Sequence, residues 1–184
     1  MPYSYPISGS RLWVTITAAE NISVPDINTT LGQLDQMNQG KIYQLFDADK
    51  ITDQYHIYYA AANAHYAMKN HNNISNKLEV ETLLYVSTQN QISKAIKLVG
   101  VSEKTKRIAI AVISETEKDP TATKIAEYLG DPRDRALEQN PEKYIALKKL
   151  YEITDKAIDT VGGNKHKALT SLITEKSTLI GLRR

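Results

Sequence analysis

The chain has 184 residues, 23 basic and 21 acidic, and no cysteine. That balance excludes a polybasic arm able to coat any polyanion, and the missing thiols exclude disulfides, cysteine nucleophiles and cysteine-based zinc sites. The length accommodates one globular domain over residues 1–184; the first residues, MPYSYPISGSRLWVTIT, contain no basic segment followed by an apolar run, so neither a signal peptide nor a membrane span is expected and the setting is cytoplasmic.

Strand patterns come first. RLWVTIT, from Arg11 to Thr17, alternates and is rich in β-branched residues, and KIYQLF, from Lys41 to Phe46, reads the same way. Between them VPDINTTLGQLDQMNQG offers a helix stopped at Gly40. From Gln54 to Asn70 apolar or aromatic residues occupy almost every face, with small alanines among them, which predicts a helix buried against a sheet. Ser75 is the expected cap of the next helix, whose inner stripe is Val80, Leu83 and Leu84. After the polar run STQNQ, a third helix carries Ile92, Ala95, Ile96 and Val99 at core spacing and ends at Gly100, the expected left-handed stop.

RIAIAVIS, from Arg107 to Ser114, suits a central strand covered on both faces. SETEKDPTAT and LGDPRDRALEQNP read as loops. Farther on, Asn140 caps a helix with Pro141 at its first position, and Gly162 and Gly163 close a short one. The last helix starts near Asn164 and aligns Ala168, Leu169, Leu172, Ile173, Leu179 and Ile180 on one side.

Catalytic chemistry does not assemble from these elements. Asp47 and Asp49 follow a strand but lack the alternating oxygen ligands and central glycine of a calcium loop. His56, His65, His71 and His166 have no zinc spacing, and GGNKHK is not a P-loop. With no Gly-x-Ser-x-Gly elbow and no GxGxxG turn, the expectation is a protein that is not an enzyme, with no catalytic residue, metal or cofactor.

The hairpin from Ser75 to Gly100 is organised differently. Asn90, Lys94 and Lys97 lie opposite the apolar stripe of the third helix, and the hinge adds hydroxyls and amides that donate and accept. Lys77, Lys104, Lys106 and Arg107 flank it as a local basic rim. The resulting nucleic-acid-binding set is Lys77, Tyr85, Ser87, Gln89, Asn90, Gln91, Lys94 and Lys97; a solvated helix face is the plainer account of the same lysines.

In its order of features the chain resembles the PRPK-binding protein family, the TPRKB-type small subunit of the KEOPS complex. The resemblance rests on an alanine-rich helix, then a helix with Glu81, Leu83 and Leu84, a polar hinge, QISKAI closed by Gly100, and the strand RIAIAVI. It implies an α/β fold with a small mixed central sheet flanked by helices on both sides. It further implies a non-catalytic subunit that binds and supports a RIO-like PRPK-type kinase and captures tRNA by its 3′ CCA end for threonylcarbamoyl modification of adenosine 37. By resemblance the last helix becomes the kinase dock, with Leu172, Ile173, Leu179, Ile180 and Arg183 as its contacts. Where members often carry Arg before the Gln-Ile pair this chain has Asn90, so a phosphate contact there is either missing or supplied by Lys94 or Lys97. The segment from Glu115 to Asn140 is longer than in compact members and receives no role.

Two other readings compete: a stand-alone RNA-binding module with no obligate protein partner, and a small-molecule enzyme. An apolar stripe left exposed on the last helix favours the kinase-binding subunit over the module. A concave polar pocket holding titratable groups with shifted pKa favours the enzyme.

Overall fold

The computed structural model describes residues 1–182 other than Ser23 and Pro25. Strands β1 (Tyr3–Pro6), β2 (Trp13–Glu20), β3 (Ile42–Asp47), β4 (Ile108–Ser114) and β5 (Asp131–Pro132) form one sheet in the order β1-β2-β4-β3, with β5 paired to the far end of β2. The α/β class is as expected, but the sheet is not mixed: every pairing among the described residues is antiparallel. Strands β2 and β3 run the same way, and β4 arrives last and slots between them, so neither meets a parallel neighbour.

Burial on both faces explains the unbroken apolar run of β4. Ala109, Ala111 and Ile113 point to one core and Ile108, Ile110 and Val112 to the other, as the period of two requires. The second core is closed by α1 (Ile27–Met37) and α5 (Pro120–Leu129), through Leu34, Ala122, Ile125, Ala126 and Leu129. Helix α5 takes in the last four residues of SETEKDPTAT, which read as loop; Asp119 caps it and Pro120 is its first residue. The first core lies under α2 (Gln54–Lys69), α3 (Leu78–Ser87), α4 (Ile92–Val99), α6 (Pro141–Leu150), α7 (Asp155–Val161) and α8 (Lys165–Thr178). Helices therefore flank the sheet on both sides.

Asn140 and Asn164 cap α6 and α8 as their sequence positions predict, while two expected signals act differently. Helix α3 begins at Leu78, and the Ser75 hydroxyl accepts from the Lys77 N–H at 3.2 Å. The buried Glu81 carboxylate takes the N–H groups of Ile74 and Ser75, at 3.0 and 2.7 Å, so Glu81 rather than Ser75 secures the entry to the hairpin. Gly100 is extended, at φ −69°, and the left-handed residue of the hairpin is Thr88, at φ 57°. Glycine is needed at 100 for space, because a Cβ there would sit 2.4 Å from the Ile96 carbonyl oxygen.

Three helices meet at His56, Tyr151 and the Val86 carbonyl. Nδ1 of His56 accepts from the Thr52 N–H at 3.4 Å, which leaves Nε2 protonated to donate to Val86 O at 3.0 Å. Tyr151 lies edge-on to His56, with ring centroids 5.5 Å apart, and its hydroxyl donates to Lys50 O and Val86 O at 2.9 and 3.3 Å. Complete burial pushes the imidazole down to about 4.

Replacing Gly100 by Ala should lower stability by about 1–3 kcal/mol because the backbone must shift, whereas Gly32→Ala, in α1 with open space around its Cβ, should raise it by about 0.5–1 kcal/mol. Thermal denaturation of both variants checks the pair.

Because His56 is held neutral, its contribution is complete above the unfolded value of 6.5 and is lost as pH falls toward about 4, a decline of up to roughly 3 kcal/mol. Urea midpoints from pH 7 to 4 should show this slope in the wild type and a shallower one in His56→Gln.

Candidate nucleic-acid and partner surfaces

Helix α4 determines what the hairpin can bind. Its Ala95 and Val99 face the core and Leu98 is half-buried, which turns Lys94 and Lys97 to solvent. Ile92 and Ile96, expected inside, are 42% and 53% exposed, since only a narrow edge of this eight-residue helix reaches the core. The hinge divides similarly. Ser87 is buried, its hydroxyl donating to Leu84 O at 2.9 Å and accepting from the Gln89 N–H at 3.2 Å. Tyr85 is also buried, and its carbonyl accepts from the Ser177 hydroxyl at 2.7 Å. Tyr85 and Ser87 thus drop out of the nucleic-acid-binding set: the left-handed turn that starts the hinge consumes one, and the core takes the other. Asn90 and Gln91 are exposed and Gln89 is half-buried.

A concavity of about 330 Å³ gathers Lys94, Lys97 and Gln89 with Lys50, over a floor of Leu98 and Leu150. Nothing in the sequence marks Lys50 as a site residue. It ends a 3-10 turn (Ala48–Lys50) after β3, and Tyr151 holds its carbonyl. Lys50, Lys94 and Lys97 enter no ion pair among the described residues. Three ammonium groups without a direct ion pair among the described residues, Lys50 with Asp47 in electrostatic reach, surround an apolar floor on a chain with formal net charge of only +2.

Lys77 is not part of this group. It borders a separate groove of about 370 Å³ that Leu31, Ile92 and Ile96 also line, on the other flank of α4. The flanking basic rim is likewise dispersed. Arg107 pairs with Asp49, and Lys104 and Lys106 are exposed before β4 and line neither concavity.

The stripe of the last helix is largely spent inside the protein. Ile173 and Ile180 belong to the first core and Leu172 is packed against it, because α8 closes over α2 and α3. Ile173 and Ile180 therefore cannot present side chains to a partner in this fold. Leu179 remains 40% exposed, and Arg183 lies outside the described residues.

The described residues thus form a helix-clad antiparallel sheet with exposed lysines around one hairpin. The model of the kinase binding protein CGI-121 family matches residues 22–180, and the chain belongs to that family. No curated protein matches the chain.

Ile173→Ala should cost roughly 2–5 kcal/mol of stability, as a cavity in the core does, while Leu179→Asp should stay within about 0.5 kcal/mol of wild type. Thermal melts of the two proteins test this division of the last helix.

Proposed function

We propose that this chain is the small, non-catalytic subunit of a KEOPS-type assembly, acting in the cytoplasm as one domain over residues 1–184. It binds and supports a PRPK-type kinase and recruits tRNA by its 3′ CCA end for threonylcarbamoyl-adenosine formation at position 37. Membership of a kinase binding family carries the reading. The tRNA half draws support from the lysine pocket: an unpaired end offers phosphates to Lys50, Lys94 and Lys97 and a base or ribose face to Leu98 and Leu150. Gln89, Asn90 and Gln91 stand beside it with amides able to pair with base edges, and Asn90 leaves phosphate binding to the lysines. The kinase half uses what α8 leaves open, Leu179 with part of Leu172.

A stand-alone RNA-binding module is the second reading, favoured by the burial of Ile173 and Ile180, which leaves the last helix little apolar area for a partner. A pull-down with the PRPK-type kinase from the same organism separates the two.

Lys94→Glu with Lys97→Glu should abolish tRNA binding and keep the kinase, since the two surfaces lie on different helices. Wild-type affinity should fall with salt at a slope of roughly −2, about −0.7 for each of the three lysines, and should drop when the CCA end is trimmed. Equal affinity for intact and trimmed tRNA would sink the 3′-end assignment, and a folded Leu179→Asp protein with unchanged kinase affinity would remove the dock.

A further inference from the structure

Tyr151 joins the walls of the lysine pocket to one another. It follows Leu150, which lies in the pocket floor at the end of α6, and is itself only 1% exposed. Its hydroxyl donates to Lys50 O at 2.9 Å, in the turn that supplies one pocket lysine, and to Val86 O at 3.3 Å, in the last turn of α3. Two residues past Val86, Thr88 turns left-handed and leads into the hinge and α4, which supply Gln89, Lys94 and Lys97. Floor, turn and hairpin meet at one phenol.

That phenol has a single proton, and its two acceptors do not depend on it equally. Val86 O also accepts from His56 Nε2 at 3.0 Å, so the hairpin keeps a donor when the hydroxyl is removed. Lys50 O has no second donor among the described residues. The other outside ties of the turn, the Ala48 N–H to Arg107 O at 2.9 Å and the Asp49 pair with Arg107, hold its beginning and middle; Tyr151 holds its end. Burial pushes the phenol up, so it stays a donor. The Lys50 ammonium forms no ion pair among the described residues, although Asp47 is in electrostatic reach, and its place therefore depends on the backbone that carries it. A cation held in place before its ligand arrives does not have to be ordered by binding.

We propose that Tyr151 is a positioning residue of the lysine pocket: by donating to Lys50 O it holds the turn so that Lys50 acts together with Lys94 and Lys97 on the phosphates of one unpaired RNA strand. The inference rests on the tRNA reading of this pocket and adds to it a residue that touches no ligand.

The test is a double-mutant cycle on the full chain, with the affinity for a short single-stranded RNA ending in CCA measured across a salt series for wild type, Lys50→Ala, Tyr151→Phe and the double variant. Lys50→Ala should weaken binding about 4-fold at physiological salt and reduce the slope from roughly −2 to about −1.4, the share of one single-strand phosphate contact. Tyr151→Phe, which keeps the ring beside His56, should reproduce most of both changes. Adding it to Lys50→Ala should change neither further. General loosening gives a different result, because a displaced hairpin would also lose the Lys94 and Lys97 contacts and the slope would keep falling in the Lys50→Ala background. At saturating RNA the Tyr151 ring resonances should shift in the wild type and stay in place in Lys50→Ala, a reading that does not require Tyr151→Phe to fold. A wild-type slope in Tyr151→Phe beside a weakened Lys50→Ala, losses that add in full, or equal ring shifts with and without Lys50 would each overturn the positioning role while leaving the pocket assigned. Lys50→Ala binding as tightly as wild type would remove Lys50 from the pocket and this inference with it, and a wild type that binds no RNA would overturn the tRNA reading and the inference together.

Discussion

The Val86 carbonyl is the point on which the helical layer depends. It lies in the last turn of α3, where carbonyls run out of partners within their own helix, and it is buried, so an unmade bond there would be costly. His56 supplies one donor from α2 and Tyr151 another from the end of α6. A neutral imidazole is essential to the arrangement, since one nitrogen must accept from Thr52 while the other donates. Immediately beyond, Thr88 takes the left-handed conformation that swings the chain into α4. Hydrogen bonds at the base of the hairpin thus hold its orientation.

The same device recurs around this junction. Lys143, nearly buried, donates to the carbonyls of Ala136 and Leu137; Lys176 donates to Tyr151 O and Ser177 to Tyr85 O. Each bond joins a side chain of a late helix to the backbone of another segment, tying the C-terminal elements to one another and, through Ser177, to α3. Desolvation moves the Lys143 ammonium down to about 8, and its two carbonyl partners give its charge somewhere to point. Stability in this region comes from satisfied backbone carbonyls as well as from apolar packing.

A nearly balanced charge count conceals two surfaces of different character, one cationic and one aromatic. Lys50, Lys94 and Lys97 converge around a pocket and form no direct ion pair among the described residues, while Tyr5, Tyr55, Tyr58 and Tyr59 gather their rings on the outer side of α2. The separation arises from which face each helix gives to the core. Alanines let α2 pack closely and push its tyrosines outward, and the pair Ala95 and Val99 leaves α4 with both lysines in solvent.

What the residues determined by themselves was local. The apolar runs of β2 and β4, Asn140 before Pro141, and Asn164 before the last helix act through neighbours in the chain, so their effect was legible without a fold. Helix α5 carries the same signs in Asp119 and Pro120, with Ala122, Ile125, Ala126 and Leu129 at helical spacing. The family was legible too, because hinge and helices follow one another in order. Tertiary structure decided the rest. Lys50 joins Lys94 only because the turn after β3 meets α4; Tyr85, Ser87, Ile173 and Ile180 are consumed by the core and its hydrogen bonds; and Ile92 and Ile96 stay outside because α4 reaches the core only along its Ala95 and Val99 edge. Capping and periodicity depend on residues a few positions apart, whereas exposure depends on what packs across the fold, and a site made of exposed groups inherits that dependence.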